Sequence, residues 1–165
     1  MAGCAILIFA FSLLPGMFGA PLGELDAYVP VATGGLNGNT ATAGGLQWMK
    51  NDYQAALDRG RQENKLVLVT FTGYACTNCH WMKANMFPRP EIAGIAKGLV
   101  LVELYTDGSD AASEENAKLE DTKFASVSTP FYALLDADAN VLATAGYTRS
   151  TQEFLAFLKS HPPKA

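Results

Sequence analysis

A chain of 165 residues with 49% hydrophobic side chains is long enough for one domain with a substantial core. Its formal net charge of −4 leaves no basic footprint, so nucleic acid is not an expected partner. Three cysteines are too few for a disulfide-rich scaffold.

Residues 1–20 are apolar, and Ala2 to Ala20 carry no charged side chain. Nineteen helical residues at ~1.5 Å each span about 28 Å, close to a bilayer core. The stretch is expected to be a transmembrane segment. A signal peptide is the competing reading, but it calls for Lys or Arg ahead of the apolar run, and there is none. A buried soluble helix is the third. Cys4 falls in this stretch and is expected to be a small packed or lipid-facing residue. Residues 21–45 contain Ala32-Thr33-Gly34-Gly35-Leu36-Asn37-Gly38-Asn39-Thr40 and read as a flexible linker.

A domain is expected over 46–163. Leu46, Met49, Tyr53 and Leu57 recur at three- and four-residue spacing, which predicts a helix with Gly60 as its stop. Leu66 to Phe71 is almost wholly apolar and predicts a central strand buried on both faces. The turn Thr72-Gly73-Tyr74-Ala75 then leads into Cys76-Thr77-Asn78-Cys79 at the start of a helix, where Cys79, Met82 and Met86 share one face. Pro88 and Pro90 break that helix, and a short turn of helix is expected over 91–97. Leu99 to Tyr105 predicts a second buried strand. Asp107 to Asn116 reads as a solvated acidic loop, because Asp107, Asp110, Glu114 and Glu115 lack the alternating spacing of a calcium loop. A helix is expected from Ser113 to Phe124. Phe131 to Leu135 and Val141 to Ala145 flank a polar turn and predict a hairpin. Ser150 and Glu153 form a capping-box signature for a terminal helix.

The two early strands are joined by a helical crossover, which implies parallel pairing; the hairpin adds antiparallel strands. The result is an α/β fold with a mixed central sheet flanked by helices, the thioredoxin-like arrangement. Its chemistry centres on the cysteines. Residues i and i+3 on one helical turn can close a small disulfide. At a helix N-terminus the first cysteine meets unpaired N–H groups and the positive end of the dipole, and both favour thiolate. Thr129-Pro130 opens a later strand, where this fold places a cis proline beside the disulfide.

Cys76-Thr77-Asn78-Cys79-His80 also satisfies the five-residue c-type haem attachment pattern, with His80 as one axial ligand and Met82 or Met86 as the other. The preceding buried strand and the downstream Thr-Pro strand favour the redox reading. A zinc site lacks a second ligand pair, since His161 stands alone near the terminus. Trp81 is a candidate exposed contact residue near the cysteines.

Phe71 to Cys79, then Leu104-Tyr105-Thr106-Asp107-Gly108, then Thr129-Pro130-Phe131-Tyr132 resemble the C-terminal periplasmic domain of DsbD-type thiol:disulfide interchange proteins, also called cytochrome c biogenesis transmembrane proteins. The resemblance runs from about Trp48 to Leu158, and residues 2–30 look like the family's last membrane helix and its exit linker. It implies a reductase that relays two electrons from a membrane domain of the same protein to periplasmic acceptors, cytochrome c maturation factors among them. It implies an inner-membrane location with this domain on the periplasmic side, and no cofactor or metal beyond the Cys76–Cys79 pair. By position, Cys76 is the attacking thiolate and Cys79 the resolving thiol. Tyr74 and Ala75 form the lip before the nucleophile, Thr77 and Asn78 tune the pair, and Thr129 and Pro130 form the platform for the partner. Relatives often carry carboxylates where Thr70 and Lys83 stand here. A hydroxyl and a cation in their place predict a more acidic Cys76, provided Lys83 reaches the site. A non-catalytic thioredoxin-fold binding module of a membrane complex is the alternative, against which the cysteine pair argues.

Overall fold

The structure is a computed structural model that describes residues 40–43 and 45–161. The expected membrane segment and most of the expected linker lie outside the described residues, as does Cys4. Among the described residues no helix is long and apolar enough to cross a membrane.

Six strands form one sheet: β1 Thr40–Ala43, β2 Leu46–Lys50, β3 Val67–Thr72, β4 Val100–Tyr105, β5 Phe131–Leu135 and β6 Val141–Ala145, in the order β1-β2-β4-β3-β5-β6. β4 runs parallel to β2 and β3, whereas β1, β5 and β6 pair antiparallel with their neighbours, so the sheet is mixed as expected. The helices are α1 Tyr53–Glu63, α2 Thr77–Trp81, α3 Pro90–Ala96, α4 Ala111–Phe124 and α5 Thr151–Lys159, and a π-helical turn over Met82–Met86 continues α2.

Every residue of β3 is buried, which is why its sequence shows no alternation. Leu68 and its neighbours Leu101 and Leu134 face Met82, Met86, Ile92 and Phe154 on one side. Val67, Val69 and Phe71 face Ala56 and Leu57 on the other. α2, α3 and α5 cover the first face and α1 and α4 the second. Each fully buried Val, Leu or Phe of these two layers contributes about 1.5–3 kcal/mol of transfer free energy, and both layers meet at β3.

Three expectations are corrected. Leu46–Lys50 is a strand: Leu46 and Trp48 are buried while Gln47 between them is exposed, a period of two. The apparent helical spacing runs across the boundary into α1, which is capped by Asp52, whose side chain accepts from Ala55 N at 3.0 Å. Gly60 does not stop α1, which continues to Glu63 and closes on Asn64 at φ 51°. Gly60 is instead buried within it, because a Cβ there would lie 2.7 Å from Val67 Cγ2. Finally, Thr40–Ala43, read as the end of the linker, pairs with β2 as an edge strand.

Candidate redox site

β3 ends at Thr72 and the chain turns through Gly73, Tyr74 and Ala75 to Cys76, which is the N-cap of α2. Cys76 and Cys79 are joined in a disulfide with Cα atoms 5.3 Å apart. Cys76 Sγ also accepts from Cys79 N at 3.2 Å. The pair is asymmetric: Cys76 is partly exposed and Cys79 is buried, so an incoming sulfur has access to Cys76 first. Thr77 and Asn78 between them are exposed.

Tyr74 and Ala75 form an exposed lip. The Tyr74 ring stacks on Tyr105 at 4.1 Å between centroids, and Lys50 Nζ lies 5.0 and 4.6 Å from the two ring centres. Asp107 accepts from Tyr74 N at 2.7 Å and from Ala75 N at 2.9 Å. His80 Nε2 donates to Tyr74 O at 2.9 Å. His80 therefore fastens the lip from the redox helix. Met82 and Met86, which the haem reading offered as ligands, are fully buried in the core. Among the described residues, no group of three or more His, Cys, Asp and Glu side chains is arranged to hold a metal.

The Thr129–Pro130 peptide bond is cis. Phe131 pairs with Phe71 in the antiparallel β3–β5 ladder, which sets Pro130 at the same end of the sheet as the turn leading to Cys76. Pro130 is buried, Thr129 is half-buried, and Val127 two residues before it is the most exposed large apolar side chain of the described residues. Trp81 is half-buried rather than exposed, edge-on to Tyr147 at 6.0 Å and with Arg149 over its ring.

Thr70 and Lys83 belong to a polar cluster beneath the redox helix. Thr70 is buried and pairs across the sheet with Glu103, itself 4% exposed. Lys83 Nζ donates to Glu103 Oε2 at 2.6 Å and lies 5.5 Å from the Trp48 ring centre. Burial first, then the nearby Glu103 charge, holds the Tyr105 phenol well above its ordinary value. Lys83 is thus committed to Glu103, which removes the reason for expecting it to acidify Cys76. Thr70 Oγ1 and Trp48 Nε1 are buried beside this pair without protein partners.

Sequence reasoning missed two residues here. Glu103 was passed over as part of an apolar strand, although one charge inside six buried or half-buried positions is a signal. Asp107, in a polar run that reads as solvated loop, is the other.

A family model described as thioredoxin-like matches residues 47–137. No curated protein matches the chain. Among solved structures, the chain is similar to a DsbH oxidoreductase at 23% identity, with a TM-score of 0.57 over 72% of this chain and 87% of the other. A thioredoxin from Thermus thermophilus aligns at 21% identity and TM-score 0.57, over 69% and 85%. The reduced DsbD C-terminal domain of Neisseria meningitidis aligns at 18% identity and TM-score 0.52, over 67% and 97%. At these identities the likeness is one of fold.

Proposed function

This chain belongs to the thioredoxin-like family, and from that premise we propose that it is a thiol–disulfide oxidoreductase working as a protein-disulfide reductase. The observation that carries the reading is the Cys76–Cys79 disulfide at the start of α2, with Cys76 open to solvent, Cys79 buried and cis Pro130 at the same sheet end.

In the reduced protein, Cys76 thiolate attacks a sulfur of the partner's disulfide. A mixed disulfide forms and one partner thiolate leaves. Cys79, as thiolate, then attacks Cys76 Sγ, closing the Cys76–Cys79 bond and releasing the second partner thiolate. Two electrons pass to the partner, and protons from solvent complete its two thiols. Thr129 and Pro130 offer the partner's extended chain a backbone edge, and Tyr74, Ala75, Thr77 and Asn78 surround the exposed sulfur. No diffusible cofactor enters this cycle.

The finer reading is a membrane-tethered relay on the periplasmic side of the inner membrane. It would take electrons from a membrane domain of the same protein and pass them to periplasmic disulfide proteins, cytochrome c maturation factors included. Its support is the motif order, the apolar residues 1–20 and the likeness in fold to DsbD C-terminal domains. The deciding measurement is the reduction potential of the Cys76–Cys79 couple against glutathione or dithiothreitol buffers. A value near thioredoxin's, about −270 mV, fits an electron donor. A value near the strongly oxidising end, about −120 mV, reverses the direction of flow. No reversible two-electron couple would leave the binding-module reading.

A further inference from the structure

We propose that Asp107 is a positioning residue of the redox site: it fastens the segment before Cys76 and, through its charge, limits how readily Cys76 ionises. The inference rests on the oxidoreductase reading above and adds a residue that the cysteine motif does not contain.

β3 and β4 leave the sheet side by side, with Thr106 N donating to Thr72 O at 3.0 Å. This brings the loop after β4 against the turn before Cys76. Both oxygens of Asp107 are used there: Oδ1 accepts from Tyr74 N and Oδ2 from Ala75 N. A two-point contact fixes orientation as well as distance. Gly73 makes room for it, since a Cβ at that position would come within 2.6 Å of Asp107 Oδ2. The same turn is held from its other side by His80 on Tyr74 O, and closed by Cys76 N on Gly73 O at 3.3 Å. Tyr74 N, Tyr74 O, Ala75 N and Cys76 N are therefore all bonded, and the nucleophile leaves a braced turn.

The contact has an electrostatic side. Asp107 is exposed, and the little water it loses against the turn pushes its carboxyl upward, but the amides of Ala75 and Tyr74 outweigh this, with help from His80, and hold it below the ordinary carboxylate value. A fixed negative charge then sits against the residue preceding Cys76. A like charge disfavours a second ionisation nearby. The other charged or titratable groups around this end of the sheet include His80 on α2, Tyr74 in the turn, Lys50 on β2, Tyr105 on β4 and Asp110, which caps α4 through Ser113 N. Lys83 and Glu103 below neutralise one another. Among these, Asp107 is the acid bonded directly to the segment that carries the nucleophile. By making the Cys76 thiolate less stable, it makes the reduced state a stronger electron donor.

The test uses the full chain, reduced, with thiolate ultraviolet absorbance followed against pH and oxidation equilibria followed in glutathione buffers. Asp107→Asn keeps the size of the side chain and one acceptor but removes the charge. Its thiolate midpoint should fall by about half a pH unit. Above that midpoint, the equilibrium with glutathione should move roughly threefold toward the reduced form. The shift should shrink in high salt, which a purely structural role would not produce. Gly73→Ala keeps the charge in the chain but drives the carboxylate off the turn, so it should slow reduction of a disulfide partner and lower the midpoint less than Asp107→Asn. An Asp107→Asn protein with wild-type circular dichroism and an unmoved midpoint overturns the proposal. Should that variant not fold, Gly73→Ala with an unchanged rate and midpoint overturns it equally. A wild type with no reversible couple strikes at the oxidoreductase reading instead, so the two failures are distinguishable.

Discussion

Replacing Lys83 by Met should destabilise the domain more than any other single charge removal at its surface or rim. Glu103 is 5% exposed at its side chain and Lys83 is 29% exposed, so the carboxylate depends on the ammonium far more than the reverse. Breaking a buried ion pair from one side costs about 3–5 kcal/mol, because the remaining charge has lost its partner without regaining water. Lys83 is partly wet, which places the cost near the low end, about 3 kcal/mol. With a urea slope of about 1.5 kcal/mol per molar, the midpoint should drop by roughly 2 M. The assay is urea unfolding followed by circular dichroism on wild type, Lys83→Met, Glu103→Gln and the double variant. Gln keeps the shape of Glu103 without its charge, so the double variant should recover most of the loss, giving a clear coupling energy in the cycle. A loss under 1 kcal/mol, or a double variant as weak as Lys83→Met, would refute the reasoning.

Other outcomes follow from the same structure. Cys79→Ser should accumulate a mixed disulfide with a disulfide-bearing partner, visible as a mass shift that reductant reverses, whereas Cys76→Ser should trap none. Phe154 is fully buried and meets Phe87, Tyr132 and Phe157 with centroids 5.1–5.6 Å away, so Phe154→Ala should cost about 4 kcal/mol in chemical denaturation. Ser150→Ala removes the oxygen that accepts from Glu153 N, and a loss of about 1 kcal/mol is expected in the same assay. Burial raises the carboxyl pKa of Glu120, so its protonated form suits the fold. Its contribution is full below the unfolded-state value and is lost as pH rises through the folded one. Glu120→Gln should therefore raise the melting temperature at pH 7 and make no difference in strong acid; an equal effect at both would contradict this.

Much of the fold was legible because its signals were local. β3 declares itself as an unbroken apolar run, the cysteine pair follows it directly, and Thr129-Pro130 stands at the head of another apolar run. The misreadings came where two patterns met or where a partner lay far along the chain. In Leu46–Lys50 a two-residue period was too short to outweigh a helical spacing borrowed from α1. Lys83 could be placed on the redox helix, but Glu103, twenty positions on, decided where its charge went. Asp107 sits in a run of polar residues typical of solvent, and only the parallel pairing of β3 and β4 carries it to the turn before Cys76. The capping box at Ser150 was half realised: its hydroxyl takes Glu153 N, while the Glu153 carboxylate turns to Thr148 Oγ1 at 2.6 Å.

The outermost strand has a mechanical consequence. β1 joins the sheet only through β2, in a tight antiparallel hairpin in which Thr40 pairs with Met49 and Ala43 with Leu46. A pull on Thr40 across the hairpin is therefore resisted one rung at a time, beginning at the Thr40–Met49 pair. Each released residue adds about 3.3 Å of free chain, so peeling the four residues of β1 frees roughly 13 Å, while the cysteines follow β3, which β2 and β4 separate from β1. Releasing this edge strand therefore leaves the strands that set the cysteines paired as before.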